Sequence, residues 1–333
     1  MNRRLKLRKI SKDTILLYVF EEISLILILI FFGIFAYLRP KGMLNINTII
    51  FTIYSAVPLG FIVLAESIAL FSGNFDLSVD QITGFSALAA GRLLMFFKGF
   101  PPVLSVFLPV IFGAGCGSLN GLLVGGLRLN PFIATLGNLM FFKGMKLVIS
   151  PSGIWADSLP PFYLSIGQSI PATIIIFGII LIFLWFIFRY VRFGVNIYAV
   201  GGNPQSAHML GINIGRTYFY VYVLDGALCG LASLFYTGYV SAIPVNLGEG
   251  TMILAFAGAV IGGVSLRGGT GSVINAFWGV LLLGFIEAGL AMFAVSSEVR
   301  LASYGILVVT AIIIARFKDS LRNRILKPKF TGE

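Results

Sequence analysis

The chain has 333 residues, 58% of them hydrophobic and only 11% charged, with a formal net charge of +11. Soluble domains carry roughly a quarter charged residues, so this composition excludes a water-soluble fold and makes lipid the solvent. A single histidine, His208, excludes a histidine-based metal centre, and two cysteines in separate apolar runs, Cys116 and Cys229, imply no disulfide framework.

Apolar runs near the length a bilayer core requires recur along the chain. They fall at roughly 15–38, 49–71, 78–97, 103–127, 132–149, 169–190, 217–240, 251–266, 273–295 and 299–316. The expected fold is an all-α polytopic membrane protein of about ten transmembrane helices, some short or re-entrant, with both termini cytoplasmic. Glu21 and Glu22 interrupt the first run. No small-residue cleavage site follows it, so it reads as a retained span rather than a signal peptide.

Before the third run, Gly73-Asn74-Phe75-Asp76-Leu77-Ser78 forms a polar break. Asp76 and Ser78 can cap the helix that follows. The same break can line a path, because irregular backbone at membrane depth is tolerated only where it is buried or meets water. In the fourth run Gly113, Gly115, Gly117 and Gly121 permit close helix packing. Asn130 and Pro131 then read as a helix start. Between the sixth and seventh runs lies a polar, glycine-rich island, Arg192 to Asn213, read as about one helical turn plus loops. Gly201 and Gly202 allow a sharp turn, Asn203 can cap a short helix with Pro204 in its first turn, and Gly211 can end it. Ala207, Leu210 and Ile212 would give that helix a small apolar face. The eighth run is short and ends in GGVSLRGGTGS, either a half-helix with a re-entrant loop or an ill-defined span.

Charge supplies orientation. With both ends and the island in the cytoplasm, 17 of the 24 basic residues lie inside and five outside, with Lys143 and Lys146 within the fifth run. That positive-inside bias accounts for the net charge without nucleic acid. The organisation expected is a basic tail 1–14, a transmembrane domain 15–316 with a cytoplasmic loop 191–216, and a basic tail 317–333. No GxxxxGK[ST] pattern occurs, since Gly268-Gly269-Thr270-Gly271 lacks the lysine. Energy must then come from an ion gradient or a separate ATPase. Glu66, Asp76, Asp225 and Glu287 are the intramembrane acids that an ion-coupled carrier would use. Each has a structural alternative: a carboxylate bonded within the bundle, lining a wet cavity, or near the interface. No catalytic constellation is visible and no cofactor is called for.

Four segments carry a resemblance. SGNFDLSVDQITGFSALAA (Ser72–Ala90) resembles the GGxDLSVG segment of ribose-type permeases of ATP-binding-cassette (ABC) importers. GLLVGGLRLNPFIATLGNLMFFKGMKLVIS (Gly121–Ser150) is similar to that family's N-G-x-x-V and P-F-I-x-T-L-G stretch. The island is similar to its RFGRxxYAxGGN motif, and AVIGGVSLRGGTGS (Ala259–Ser272) to its IGGxSLxGGxGS motif. The resemblance implies a permease subunit in a bacterial inner membrane, surrounded by lipid. It implies a second permease copy or a homologous permease, cytoplasmic ABC ATPase subunits and an extracytoplasmic solute-binding protein as partners. The island, with Gly201, Gly202, Asn203, Pro204, Ala207, Leu210, Gly211 and Ile212, would be the ATPase-coupling loop. Asp76, Ser78, Asn120, Asn138, Asp225 and Glu287 are the expected pathway residues. Asn74, Asp80, Leu254, Asp225 and Glu287 depart from the family's pattern, which leaves a sugar, a nucleoside, an autoinducer-type sugar or a branched-chain amino acid open as the solute.

Overall fold

The computed structural model describes residues 23–326. The tail 1–14 and the residues after 326 lie outside them. The described chain is almost entirely helical. Its main helices are α1 (Ile23–Leu38), α2 (Ile46–Phe71), α3 (Val79–Phe96), α4 (Leu108–Gly121), α5 (Pro131–Ile149), α6 (Ile170–Tyr190), α7 (Ile214–Val240), α8 (Thr251–Ile261), α9 (Val273–Met292) and α10 (Ser297–Leu326). Among the described residues, six stretches are long and apolar enough to cross a bilayer: α2, Pro102–Gly126, α5, α6, α7 and α9. The protein is therefore an all-α, multi-pass membrane protein.

Several helices begin where short polar side chains satisfy free backbone N–H groups, although α3, α4 and α8 have no side-chain cap. Asn45 Oδ1 accepts from Asn47 N at 2.9 Å, Asn130 Oδ1 from Phe132 N at 2.9 Å, and Asn213 Oδ1 from Arg216 N at 3.0 Å. Ser272 Oγ accepts from Ile274 N at 3.2 Å. Each cap is worth roughly 1 kcal/mol, and more where water is excluded from the helix end. The eighth run resolves as the half-helix α8, followed by a glycine-rich loop, Gly262–Ser272. Helix α10 continues through Arg316 to Leu326, so no structural break separates the transmembrane domain from the first part of the basic tail. Lys and Arg favour helix as much as leucine does, so charge alone does not end one.

Helix α2 is the hub. From Ala56 to Phe71 nearly every residue is buried, as expected for a helix apolar on all sides. It packs on α7, α8 and α9. Helices α4 and α7 cross through glycine: a Cβ at Gly113 would lie 2.2 Å from Gly226 O, and one at Gly117 would lie 2.0 Å from Tyr222 O. The packing expected of the fourth-run glycines holds for Gly113, Gly117 and Gly121. It does not hold for Gly115, which faces open space. At one end of the bundle Ile154–Trp155 pairs antiparallel with Ala242–Ile243. From there the segment between α7 and α8 folds inward along α3, and Gly250 N donates to Asp80 Oδ2 at 3.3 Å.

Candidate translocation site and coupling face

The polar break between α2 and α3 enters the middle of the bundle. Asp76 Oδ1 accepts from the backbone N–H of Ser78 at 2.7 Å and from its hydroxyl at 2.5 Å. This closes a local Asx turn ahead of α3, and the expected capping is not made: Asp76 bonds the residue before the helix and the Ser78 side chain accepts no N–H of α3. Asp76 Oδ2 accepts from Asn120 Nδ2 on α4 at 2.7 Å, and the same nitrogen donates to Ser78 Oγ at 2.8 Å. Asn138 on α5 donates in turn to Asn120 Oδ1. Asp225 on α7 faces Asp76, with Glu66 on α2 beside both; Glu66 Oε2 accepts from Asp76 N at 3.4 Å. Five of the expected pathway residues, Asp76, Ser78, Asn120, Asn138 and Asp225, thus meet in one network. It lies about two to three turns from the nearer ends of α5 and α7. Glu66 belongs to it as well; the sequence marks it as an intramembrane acid but gives no sign that it meets Asp76.

A cavity of about 420 Å³ reaches this network. Glu66 and Asp76 form its polar end, and Phe75, Met252, Phe256 and Leu266 contribute apolar wall. An acceptor-rich end with an apolar flank suits a small hydroxylated solute, whose O–H groups donate and whose C–H face packs.

At the opposite end from the strand pair, three backbone segments converge. Gly269 N donates to Phe71 O at 3.0 Å, where α2 ends. A Cβ on Gly201 would lie 2.0 Å from Phe71 O and 2.7 Å from Gly269 N, and one on Gly268 would lie 2.6 Å from Gly73 Cα. Tyr198 OH donates to Gly271 O at 3.1 Å. The island itself is two helices, Arg192–Gly202 and Pro204–Met209, not one turn with loops. Gly201 and Gly202 end the first helix and make no sharp turn; Gly201 is glycine because backbone comes too close for a side chain. The break falls at Asn203, at φ −157°, and its side chain accepts from Ser206 N at 3.0 Å. Gly211 ends the second helix at φ +81°, as expected. The presented apolar face differs from the expected one. Ala207 is 2% exposed and packs inward, whereas Met209 at 87% and Leu210 at 80% protrude. Beside them a cavity of about 670 Å³ is lined by Arg128, Pro204, His208, Ile212, Asn213 and Tyr218, among others.

Residues 48–315 match the family described as the permease component of the branched-chain amino acid transport system. The chain belongs to that permease family. It is 29% identical, over 92% of its length and 97% of the relative's, to the autoinducer 2 import system permease protein LsrD of Enterobacter sp. (strain 638). It is 32% identical, over 85% of its length and 88% of the relative's, to the D-allose transport system permease protein AlsC of Escherichia coli. No solved structure matches it. The permease is thus a multi-pass inner-membrane transport subunit, related to those of sugar and autoinducer importers.

Two charged groups of the permease stand apart from the network. Glu287, expected on the pathway, pairs with Arg300 at 2.9 Å and borders a separate cavity of about 280 Å³ with Tyr236, Tyr239 and Tyr304. The second group is absent from the expected site residues. Lys146 on α5 is fully buried and pairs with Glu249 at 3.3 Å, with Lys143 at 4.0 Å from the same oxygen. Gly84 leaves room for the lysine, since a Cβ there would lie 3.1 Å from Lys146 Nζ. The available sequence signal was a basic residue inside an apolar run.

Proposed function

We propose that this permease forms half of the translocation pathway of an ABC importer for a sugar or similar small, neutral, hydroxylated solute. An extracytoplasmic binding protein delivers the solute, and separate ATPase subunits dock on Arg192–Asn213. A second copy or a homologous permease completes the pore. The single observation that carries this reading is the contact of Gly201 with Phe71 and Gly269. It couples the proposed docking helices to the α2 end, from which the Asp76 turn leads, and to the loop after α8. A push at Met209 and Leu210 then reaches the polar network through backbone, with no flexible side chain between.

The names of the relatives, autoinducer 2 and D-allose permeases, favour a sugar-like solute. So does an acceptor-rich cavity end with no Lys or Arg on its lining; it could take the ammonium of an amino acid but offers no cation to pair its carboxylate. In the proposed topology ten spans place the island, the loop Gly262–Ser272 and both basic tails in the cytoplasm, consistent with the positive-inside bias. The strand pair Ile154–Trp155 with Ala242–Ile243 then faces outward. The test is uptake into proteoliposomes holding the permease with its ATPase. Uptake should require lumenal-side ATP at the docking face and the binding protein, and should persist when ionophores collapse ion gradients. Uptake by this chain alone, driven by an ion gradient, would refute the reading.

A further inference from the structure

The two acids at the centre of the network are satisfied unequally. Asp76 receives three donors: the Ser78 N–H, the Ser78 hydroxyl and an Asn120 amide. Asp225 is fully buried, and among the described residues neither of its oxygens receives any N–H or O–H. Its side chain instead meets the Asp76 carboxyl within hydrogen-bonding reach. Two ionised carboxylates cannot bond to each other, because both only accept. A buried acid without donors is costly to ionise, and a second negative group beside it adds to that cost.

The surrounding groups supply no positive charge. Asp76 and Glu66 face Asp225 from the α2–α3 segment and from α2. Tyr222 and Cys229 face it from α7, and Cys116 on α4 lies beside Asp76. The Tyr222 hydroxyl is already committed to Phe75 O at 3.3 Å. No lysine, arginine or histidine is among these neighbours.

We propose that Asp225 and Asp76 form a proton-binding site in the middle of the membrane, in which Asp225 carries one proton and donates it to the ionised Asp76. The proton turns one unmet oxygen of Asp225 into a donor, leaves the other a neutral carbonyl that costs less to bury than a carboxylate, and removes the repulsion between the acids, as in paired carboxyls elsewhere. It also ties α7 to the turn between α2 and α3. The resting contact between the pathway wall and the segment that leads to Gly201 therefore depends on a bound proton.

The test is infrared spectroscopy of the full-length permease in lipid nanodiscs at neutral pH. The expected result is a carbonyl band of a neutral carboxylic acid that shifts in D₂O. An aspartate component of the band should shift again when the protein is grown with ¹³C-labelled aspartate, apart from any component of the buried Glu66, which would move with labelled glutamate instead. The aspartate component should vanish in Asp225→Asn, and also in Asp76→Asn, whose amide would donate to an ionised Asp225. It should persist in Glu287→Gln. Absence of the aspartate component in the native protein, a shift with labelled glutamate alone, or survival of the aspartate component in Asp225→Asn would each overturn the proposal. The isotope arm needs no variant and decides the matter even if both variants fail to fold. Stabilisation by sodium without an acid band would also overturn it, by making the ligand a metal cation.

Discussion

Replacing Gly201 by alanine is the smallest change that tests how the docking helices reach the pathway. The added Cβ would sit 2.0 Å from Phe71 O, 2.7 Å from Gly269 N and 2.9 Å from Ser72 C. All three are backbone atoms, so no rotamer can relieve the clash. Overpacking of this kind costs about 1–3 kcal/mol, and relief here requires the helix Arg192–Gly202 to move off the α2 end. If that contact carries the coupling, a loss of about 1–3 kcal/mol corresponds to a fall of roughly 5–150-fold in the linkage between sites. The assay is ATP hydrolysis by the reconstituted complex with and without the binding protein, alongside thermal unfolding of the permease. We expect stimulation to collapse while the permease remains folded at lower stability. Gly202→Ala is the matched control, because its Cβ meets Gly269 Cα at an ordinary 3.8 Å; it should behave as the native protein does. Native stability and native stimulation in Gly201→Ala would refute the reasoning.

The network and the charged groups give further outcomes. Asn120→Leu removes the donor to Asp76 Oδ2 and the acceptor for Asn138, and should cost about 1–3 kcal/mol per group left unpaired; uptake should fall with it, as measured in proteoliposomes. Gly117→Leu forces a side chain against Tyr222 O and should separate α4 from α7, read as loss of monodisperse protein on extraction. Glu287→Gln breaks a half-exposed pair with Arg300, so it should change stability by no more than about 1 kcal/mol and leave uptake near native. Lys146→Ala removes the buried cation that holds Glu249, and should raise the reactivity of a cysteine placed at the exposed Asn246 in the same segment toward an impermeant maleimide from outside.

Much of the bundle is legible in the sequence because lipid imposes one strong rule. Apolar runs must be helices, and the runs ending at Phe71, Ile149 and Tyr190 end where the helices do. Some caps were readable too: Asn130 and Asn203 each accept a backbone N–H where a helix start was expected, while Asn213 caps α7 without having been singled out and Ser78 makes no cap bond. Proximity was not readable. Glu66 and Asp76 are ten residues apart, and Asp225 lies far along the chain; nothing local indicates that they meet. The face of the short helix Pro204–Met209 was misjudged for a related reason. Which side of a six-residue helix packs inward is set by its neighbours, and Ala207 turned in while Met209 and Leu210 turned out. Gly201 shows the same limit, since a glycine reads alike whether it bends a chain or admits a neighbouring backbone.

The claim that Arg192–Asn213 is where power enters is tested most directly by photocrosslinking from Met209 in native membranes. A photoreactive side chain at that exposed position should yield an adduct with a protein that carries a nucleotide-binding Walker motif, identified by mass spectrometry. The yield should change when ATP is added. A probe at 209 that labels lipid and no ATPase, in membranes where solute uptake is intact, would contradict the account.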